Sequence, residues 1–256
     1  MTKTILITGS TSGIGLGMAK AFAAQGHNII FNGLEPNGAE LAQQVADEHK
    51  IQHLFSPANM MKPEEIRGLA KAALDQFGRV DILINNAGIQ HVAPIDEFPE
   101  EKWDAIIAIN LTAAFHLTKA IWPSMKANQW GRIINIASAH GLVASEFKSA
   151  YVTAKHGIVG FTKTMALEGA PFGITANAIC PGYVHTPIID KQIADQMKVH
   201  NMTADEVVKN VMLEKQAIKA FISIDTIAQT ALFLASDAAA TLTGVALPVD
   251  GGWTAQ

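Results

Sequence analysis

Two rhythms of apolar residues alternate along the chain. Short runs rich in β-branched residues fit buried strands at 4–8, 28–32, 51–56, 80–85, 132–138, 174–180 and 245–249. Between them, longer stretches carry apolar positions three and four apart. These predict helices over 14–25, 36–49, 63–77, 100–127, 149–169 and 225–235. Regular strand–helix alternation implies right-handed crossovers and a parallel sheet covered on both faces. No repeat, linker or low-complexity tract interrupts it. The expectation is therefore a single-domain α/β fold over residues 1–256, a doubly wound parallel sheet of about seven strands with helices on both faces. Residues 187–220 break the rhythm, being polar, methionine-bearing and helical in pattern, and are expected to form a small helical lid.

Composition narrows the picture. An apolar share of 49% with 16% charged residues suits a globular enzyme, and a net charge of −4 argues against nucleic acid or an anionic membrane as the main partner. Cys180 is the only cysteine, so no internal disulfide forms; within Asn177-Ala178-Ile179-Cys180 it reads as a small core residue. The chain opens directly into a strand and shows no unbroken apolar run near 18 residues, so a soluble, cytoplasmic protein is expected. His91, His156 and His185 lack metal-ligand spacing with acidic partners, and no catalytic metal is expected.

The chemistry concentrates at two places. The first strand runs into Gly9-Ser10-Thr11-Ser12-Gly13-Ile14-Gly15 and then a helix. Strand, glycine-rich turn and helix together present free backbone N–H groups and the positive end of a helix to a phosphate. The spacing is neither that of a P-loop nor that of a nucleophile elbow. The second place is Tyr151 with Lys155 four residues on, sharing one helical face, and Ser138 thirteen residues upstream. An ordinary tyrosine ionises near pH 10, and lowering that by about 3 units takes about 4 kcal/mol, which a fixed cation can supply.

Together these residues resemble the short-chain dehydrogenase/reductase family over the whole length. Thr8 to Gly15 is similar to its cofactor turn, Asn85-Asn86-Ala87-Gly88 to its strand-four motif, and Pro181-Gly182 with Thr186 to its nicotinamide-side loop. Asn110, Ser138, Tyr151 and Lys155 fall where its catalytic tetrad falls. The resemblance implies a Rossmann-like fold and a dinucleotide held by Gly9, Thr11, Ser12, Gly13, Ile14, Gly15, Phe31, Asn59, Asn86, Ala87, Gly88, Tyr151, Lys155, Pro181, Gly182, Val184 and Thr186. It further implies Tyr151 as general acid/base, Lys155 as the group that depresses its pKa, Ser138 as a donor to the reacting oxygen, and a water-holding kink at Asn110. No cation stands in the glycine turn or after strand two to meet a 2′-phosphate, and Glu35 would repel one, so NAD is favoured over NADP. The family's usual acidic ribose ligand is missing; Asn32, backbone or Phe31 packing takes its place, and Asn59 stands where an aspartate is usual.

Within the family, residues 88–94, 137–142 and 249–253 resemble the bacterial D-3-hydroxybutyrate dehydrogenases. That resemblance implies a carboxylate grip by Gln90, His140, Lys148 and Gln192, a pocket closed by Trp253, and a small hydroxy acid as substrate of Ser138 and Tyr151. It also implies a homotetramer built through the two longest helices and the C-terminal segment. A 3-oxoacyl reductase and a non-catalytic dinucleotide sensor are the alternatives.

Overall fold

In this computed structural model, which describes residues 2–185 and 201–255 together with Ile189, Ile193 and Met197, the strands form one parallel sheet in the order β3-β2-β1-β4-β5-β6-β7. They are β1 (Thr4–Ile7), β2 (Asn28–Asn32), β3 (His53–Ser56), β4 (Ile82–Asn85), β5 (Gly131–Ile136), β6 (Ile174–Pro181) and β7 (Ala246–Val249). Each lies within two residues of the apolar run that predicted it. Successive side chains on a strand point to opposite faces, so a strand covered on both sides must be apolar throughout. β1 is the clearest instance. Ile5 and Ile7 pack on one face with Met18, Phe22 and Leu234, while Leu6 packs on the other with Ile66, Leu69 and Leu117. All three are fully buried, and each such burial stabilises by about 1.5–3 kcal/mol before entropy is counted.

Helices cover both faces. α1 (Gly13–Ala24), α2 (Gly38–His49) and α8 (Ile224–Ala235) supply the first layer; α3 (Pro63–Phe77), α5 (Ala113–Ala127) and α6 (Ser149–Gly169) supply the second. α3 starts on Pro63, whose missing N–H costs nothing in a first turn, and stops at Gly78 in the left-handed region. The predicted helix 100–127 is divided. α4 (Glu100–Ile107) passes through a π-helical turn, Ala108–Thr112, before α5 begins, and Asn110 lies in the middle of that turn. The segment Glu100–Ala127 is also apolar and long enough to cross a membrane by composition, which reading by unbroken runs misses. In the fold, 44% of its most apolar window is buried, and α5 packs Leu117 and Ile121 into the second core layer.

Part of the segment expected as a lid lies outside the described residues. Of the rest, Ile189, Ile193 and Met197 pack with Tyr183, Val207, Met212 and Phe221 in a small separate cluster. α7 (Ala204–Val207) opens with a capping box between Thr203 and Glu206 and continues into a second π-helical turn, Val208–Met212.

The end of β2 corrects two expectations. Asn32 is buried and its side chain is spent: Oδ1 accepts the Gly9 N–H at 3.2 Å, and Nδ2 donates to the Ser56 and Ala58 carbonyls at 3.0 and 2.9 Å. It ties the glycine turn to β3 and cannot read a ribose. Phe31 is fully buried in the first core layer, edge-on to His53, so its ring does not reach the cofactor groove either. Asn32→Ala strands three main-chain groups, one of them in a fully buried bond and two in part-buried ones, and should lower the unfolding free energy by about 2–4 kcal/mol in urea titrations. Unchanged stability with a loss confined to dinucleotide affinity would return Asn32 to the ribose.

Candidate active site

The glycine turn owes its shape to space. Gly9 and Gly13 hold positive φ angles of 61° and 51°. A Cβ on Gly15 would lie 2.1 Å from the Gly9 carbonyl oxygen and 2.6 Å from Asn86 Nδ2, so only glycine lets α1 start this close to β1. Asn86 and Ala87 donate their main-chain N–H groups to Thr8 Oγ1 at 2.9 Å, and the Asn86 amide donates to the Thr8 and Gly9 carbonyls at 2.9 and 3.0 Å. The strand-four motif is thus stitched to the turn it faces. Ser12, in the N-cap position of α1, makes no capping hydrogen bond, which leaves the first-turn amides of α1 without a side-chain partner beside Ile14. These donors, at the positive end of a helix, fit a dinucleotide pyrophosphate.

The hydroxyls of Thr11 and Ser12 turn instead to Glu35. Thr11 Oγ1 donates to Oε2, and Ser12 Oγ donates to Oε1 at 3.0 Å. Partial burial alone would raise the Glu35 pKa, but the hydrogen bonds from Thr11, the main chain and Ser12 outweigh it and hold the carboxyl below its usual range. An anion is therefore fixed against the turn. Asn59, expected near the adenine, spends Oδ1 on the Met61 N–H at 2.9 Å in the turn leading to α3.

On the other side of the sheet's end, Ser138 follows β5 and caps a 3₁₀ turn, Ala139–Gly141. A Cβ on Gly141 would lie 2.7 Å from the Lys155 carbonyl oxygen, so this turn presses on α6. That contact brings Ser138 and His140 beside Tyr151. Lys155 is buried and donates to the Ile136 carbonyl at 2.8 Å, with its ammonium 5.5 Å from the centre of the Tyr151 ring. Asn110 completes the group. Its amide grips both main-chain groups of Ile89 at 2.9 Å, which sets the 88–90 loop and places Gln90 at the exposed rim. Gly88 lies between Asn110 and Lys155, with room for no more than ordinary contact to either. The expected kink at Asn110 is present as the π-helical turn.

Burial moves the titrating groups here towards their neutral forms. It pushes the Tyr151 phenol up, against a hydrogen bond from Ser138 that favours the phenolate. It brings the Lys155 ammonium down to about 8 and the Cys180 thiol up to about 11, leaving that thiol an inert core group. In the free protein desolvation is the largest influence on the Tyr151 phenol, and the group that opposes it is Ser138, not Lys155. His140 is buried, and desolvation followed by the charge of Lys148 holds its imidazole down at about 3, hence neutral. Both ring nitrogens are engaged, Nδ1 with Ser138 Oγ at 3.4 Å and Nε2 with Ser145 Oγ at 2.9 Å. In the free protein both of its ring nitrogens thus face serine hydroxyls, one on each side.

Lys148 occupies the N-cap position of α6, three residues before Tyr151. Burial, then the neighbouring charge of Lys215, lowers its pKa. Among the described residues it makes no ion pair. It lines a cavity of about 580 Å³ with Ser145, Glu146, Tyr183 and Lys215. Trp253 stacks on Tyr183 with ring centres 5.7 Å apart and meets His140 edge-on at 4.9 Å. Trp253 thus packs behind Tyr183, which lines the cavity. Pro181 ends β6; Gln216 Oε1 accepts the Tyr183 N–H at 3.0 Å and leaves no room for a side chain on Gly182, and Val184 bridges to Ile222. Thr186 and Gln192 lie outside the described residues. Sequence reasoning missed Ser145, Tyr183, Lys215 and Gln216, because no local motif marks residues that meet only across the fold.

The chain belongs to the short-chain dehydrogenase family, whose model matches residues 3–197. It is 53% identical over 258 residues to a D-beta-hydroxybutyrate dehydrogenase of Rhizobium meliloti (strain 1021), an alignment covering 100% of both chains. Among solved structures it is similar to a variant of actinorhodin polyketide ketoreductase with NADPH, at a TM-score of 0.92 and 30% identity over 100% of this chain and 98% of that one. It is also similar to an NAD+-bound xylitol dehydrogenase, at a TM-score of 0.90 and 30% identity over 98% of each chain.

The His140 environment sets an acid limit on stability. Its folded pKa is depressed, so between about 3 and the ordinary 6.5 the unfolded chain binds the extra proton. Stability is thus lost as the pH falls through 6.5, by about 2 kcal/mol at pH 5. His140→Asn should lose that much less than the native protein between pH 7.5 and 5 in urea unfolding. Parallel pH curves would mean that the folded imidazole takes up the proton.

Proposed function

We propose that this protein interconverts (R)-3-hydroxybutyrate and acetoacetate with NAD, Tyr151 acting as general acid/base. The observation that carries the reading is Lys148, a half-buried ammonium at the positive end of α6 and three residues before Tyr151, which lines a cavity with Tyr183 and Lys215. Among the described residues this cation, its pKa lowered by burial and by a second lysine, makes no ion pair, and a substrate carboxylate supplies one. The 53% identity with a D-beta-hydroxybutyrate dehydrogenase supports the same substrate. With the carboxylate at Lys148 and the hydroxyl at Ser138 and Tyr151, the substrate is held at two points, which makes the site short and selective for one enantiomer. Gln90 and, beyond the described residues, Gln192 add neutral donors to the carboxylate; Trp253 and Tyr183 wall the pocket, and residues 187–220 act as its lid.

When bound, the nicotinamide ring supplies the hydride acceptor and donor. Tyr151, as phenolate, takes the hydroxyl proton during oxidation and returns it during reduction. Ser138 donates a hydrogen bond to the oxygen as it becomes a carbonyl. Lys155 binds the nicotinamide ribose and passes the proton of Tyr151 towards solvent by way of the turn at Asn110. The dinucleotide is held by Gly9, Thr11, Ser12 and the first-turn amides at Gly13, Ile14 and Gly15, with Asn86, Ala87 and Gly88 under its ribose and Pro181, Gly182, Val184 and Thr186 beside its nicotinamide. The fixed Glu35 carboxylate takes the place of the missing acidic ribose ligand and repels a 2′-phosphate. A homotetramer fits the exposed Phe115 on α5 and Leu167 on α6, which leave apolar surface on the two longest helical segments.

Lys148→Ala tests the carboxylate grip. It should lower kcat/KM for the hydroxy acid by roughly 10- to 150-fold, the worth of a charge-assisted hydrogen bond, and affect the neutral methyl ester far less. Following NADH absorbance for acid and ester on both proteins separates the grip from general damage; equal losses would remove it. Glu35→Gln tests the cofactor. Native preference for NAD over NADP should be at least about 100-fold, and the variant should narrow it by about tenfold, because repulsion at a partly exposed site is on the order of 1 kcal/mol. An unchanged ratio would mean that Glu35 does not face the phosphate position.

A further inference from the structure

We propose that Phe147 is a specificity-determining residue: its ring walls the cavity beyond the substrate carboxylate and shuts out 3-hydroxyacyl thioesters, which continue where the free acid ends. The inference rests on the function proposed above, since it takes the carboxylate to lie at Lys148. It adds a criterion of bulk to the criterion of charge, at a residue that no motif marks.

Phe147 combines two features that stability alone does not call for. Its φ is 63°, in the left-handed region where a Cβ crowds the neighbouring carbonyl oxygen. The residue is also 53% exposed, so its ring adds little to the core. Three other non-glycine residues among those described turn the same way, Lys50, Gln129 and Asn201, and all three are polar. Lys50 is the C-cap of α2, and Gln129 follows the C-cap of α5. A left-handed residue there helps to satisfy the last carbonyls of a helix. Phe147 instead precedes a helix, α6, whose N-cap is Lys148. Capping therefore does not account for it. A strained backbone that carries an exposed aromatic ring at the edge of a cavity calls for a use of the ring itself.

Its surroundings supply that use. Five consecutive residues, 144–148, line the cavity together with Tyr183 and Lys215. The Phe147 carbonyl accepts the Ala93 N–H at 3.0 Å, which fastens this wall to the loop bearing Gln90. The wall is thus held by that bond on one side and by the start of α6 on the other. A free 3-hydroxy acid ends at the carboxylate that meets Lys148. A 3-hydroxyacyl thioester offers the same hydroxyl, C3 and carbonyl, and then runs on through sulfur. That extension leaves past residues 144–147, among which phenylalanine is the largest side chain. Charge alone separates the two substrates poorly, because a lysine also donates to a thioester carbonyl. A ring at the exit rejects the longer one by bulk.

The test compares (R)-3-hydroxybutyrate with its N-acetylcysteamine thioester on the native protein, Phe147→Ala and Phe147→Gly, by initial rates of NADH formation. The native enzyme should favour the acid by at least about 100-fold in kcat/KM. Both variants should keep the acid within about threefold and gain about tenfold or more on the thioester. Phe147→Gly should also unfold at a higher urea concentration than Phe147→Ala, because glycine alone releases the left-handed strain. No gain on the thioester, an equal gain on acid and thioester, or a lower urea midpoint for glycine than for alanine would each overturn the proposal. So would a smaller assembly of Phe147→Ala in light scattering, which would make the ring a contact between subunits. The acid rate of the native enzyme separates the two levels of inference. A native preference for the thioester would sink the substrate reading and Phe147 with it, whereas a native preference for the acid with no gain in the variants would sink Phe147 alone.

Discussion

A parallel sheet ends badly. At the carboxyl edge the strands stop at different heights, and their last N–H and C=O groups have no neighbouring strand to pair with, although they remain buried. In this molecule side chains from adjacent strands fill that need. Thr8 and Asn86 close the gap between β1 and β4, Asn32 closes that between β2 and the turns after β1 and β3, and a buried chain from Asn85 through Asn135 to Thr162 links β4, β5 and α6. Each tie joins residues more than twenty positions apart. The glycine turn is therefore held in shape by the assembled sheet as well as by its own glycines, and the first amides of α1 have no side-chain cap.

The same burial that makes those ties necessary governs the catalytic side. Taking Tyr151, Lys155, His140, Cys180 and Lys148 out of water moves every one of them towards its neutral form. A site this averse to charge nevertheless keeps Lys148 at a helix N-terminus, on a cavity it shares with Lys215 and Glu146. On the function proposed above, the carboxylate of the substrate would complete the electrostatics around Lys148, in the way that Asn32 and Asn86 complete the sheet's hydrogen bonds.

Sequence patterns carried the architecture because strand and helix periods are local. The β1 run, the glycine turn, the two-sided apolar strands and the helix bearing Tyr151 and Lys155 all follow from spacing over a dozen residues. The kink at Asn110 came from the family resemblance and not from spacing, which predicts one unbroken helix over 100–127. What spacing could not reveal was the partner of a polar side chain. Asn32 looks like a ribose ligand until β3 is placed beside it, and Phe31 looks available until its strand acquires a face. The two serine partners of His140 are seen only once Ser145 folds back beside it. Glu35 was suspected from charge alone, but its anchoring by Thr11 and Ser12 needed the turn in three dimensions.

That division explains why the fold leaves specificity open. Structures at TM-scores of 0.92 and 0.90 to this one hold NADPH in one case and NAD+ in the other, so the shared backbone does not choose between phosphate and hydroxyl at the ribose. The choice falls to a few side chains at the ends of strands, where the sheet has stopped dictating geometry. Here an anion fixed by two hydroxyls stands beside the glycine turn, and two lysines line a cavity at the start of α6; on the proposed function these are the adenosine and substrate ends. Both act through charge placed where water is partly excluded, so each discriminates by what it repels as much as by what it holds. A change of substrate or cofactor in such a protein needs only those few side chains to change, and the buried hydrogen-bond ties beneath them can stay as they are.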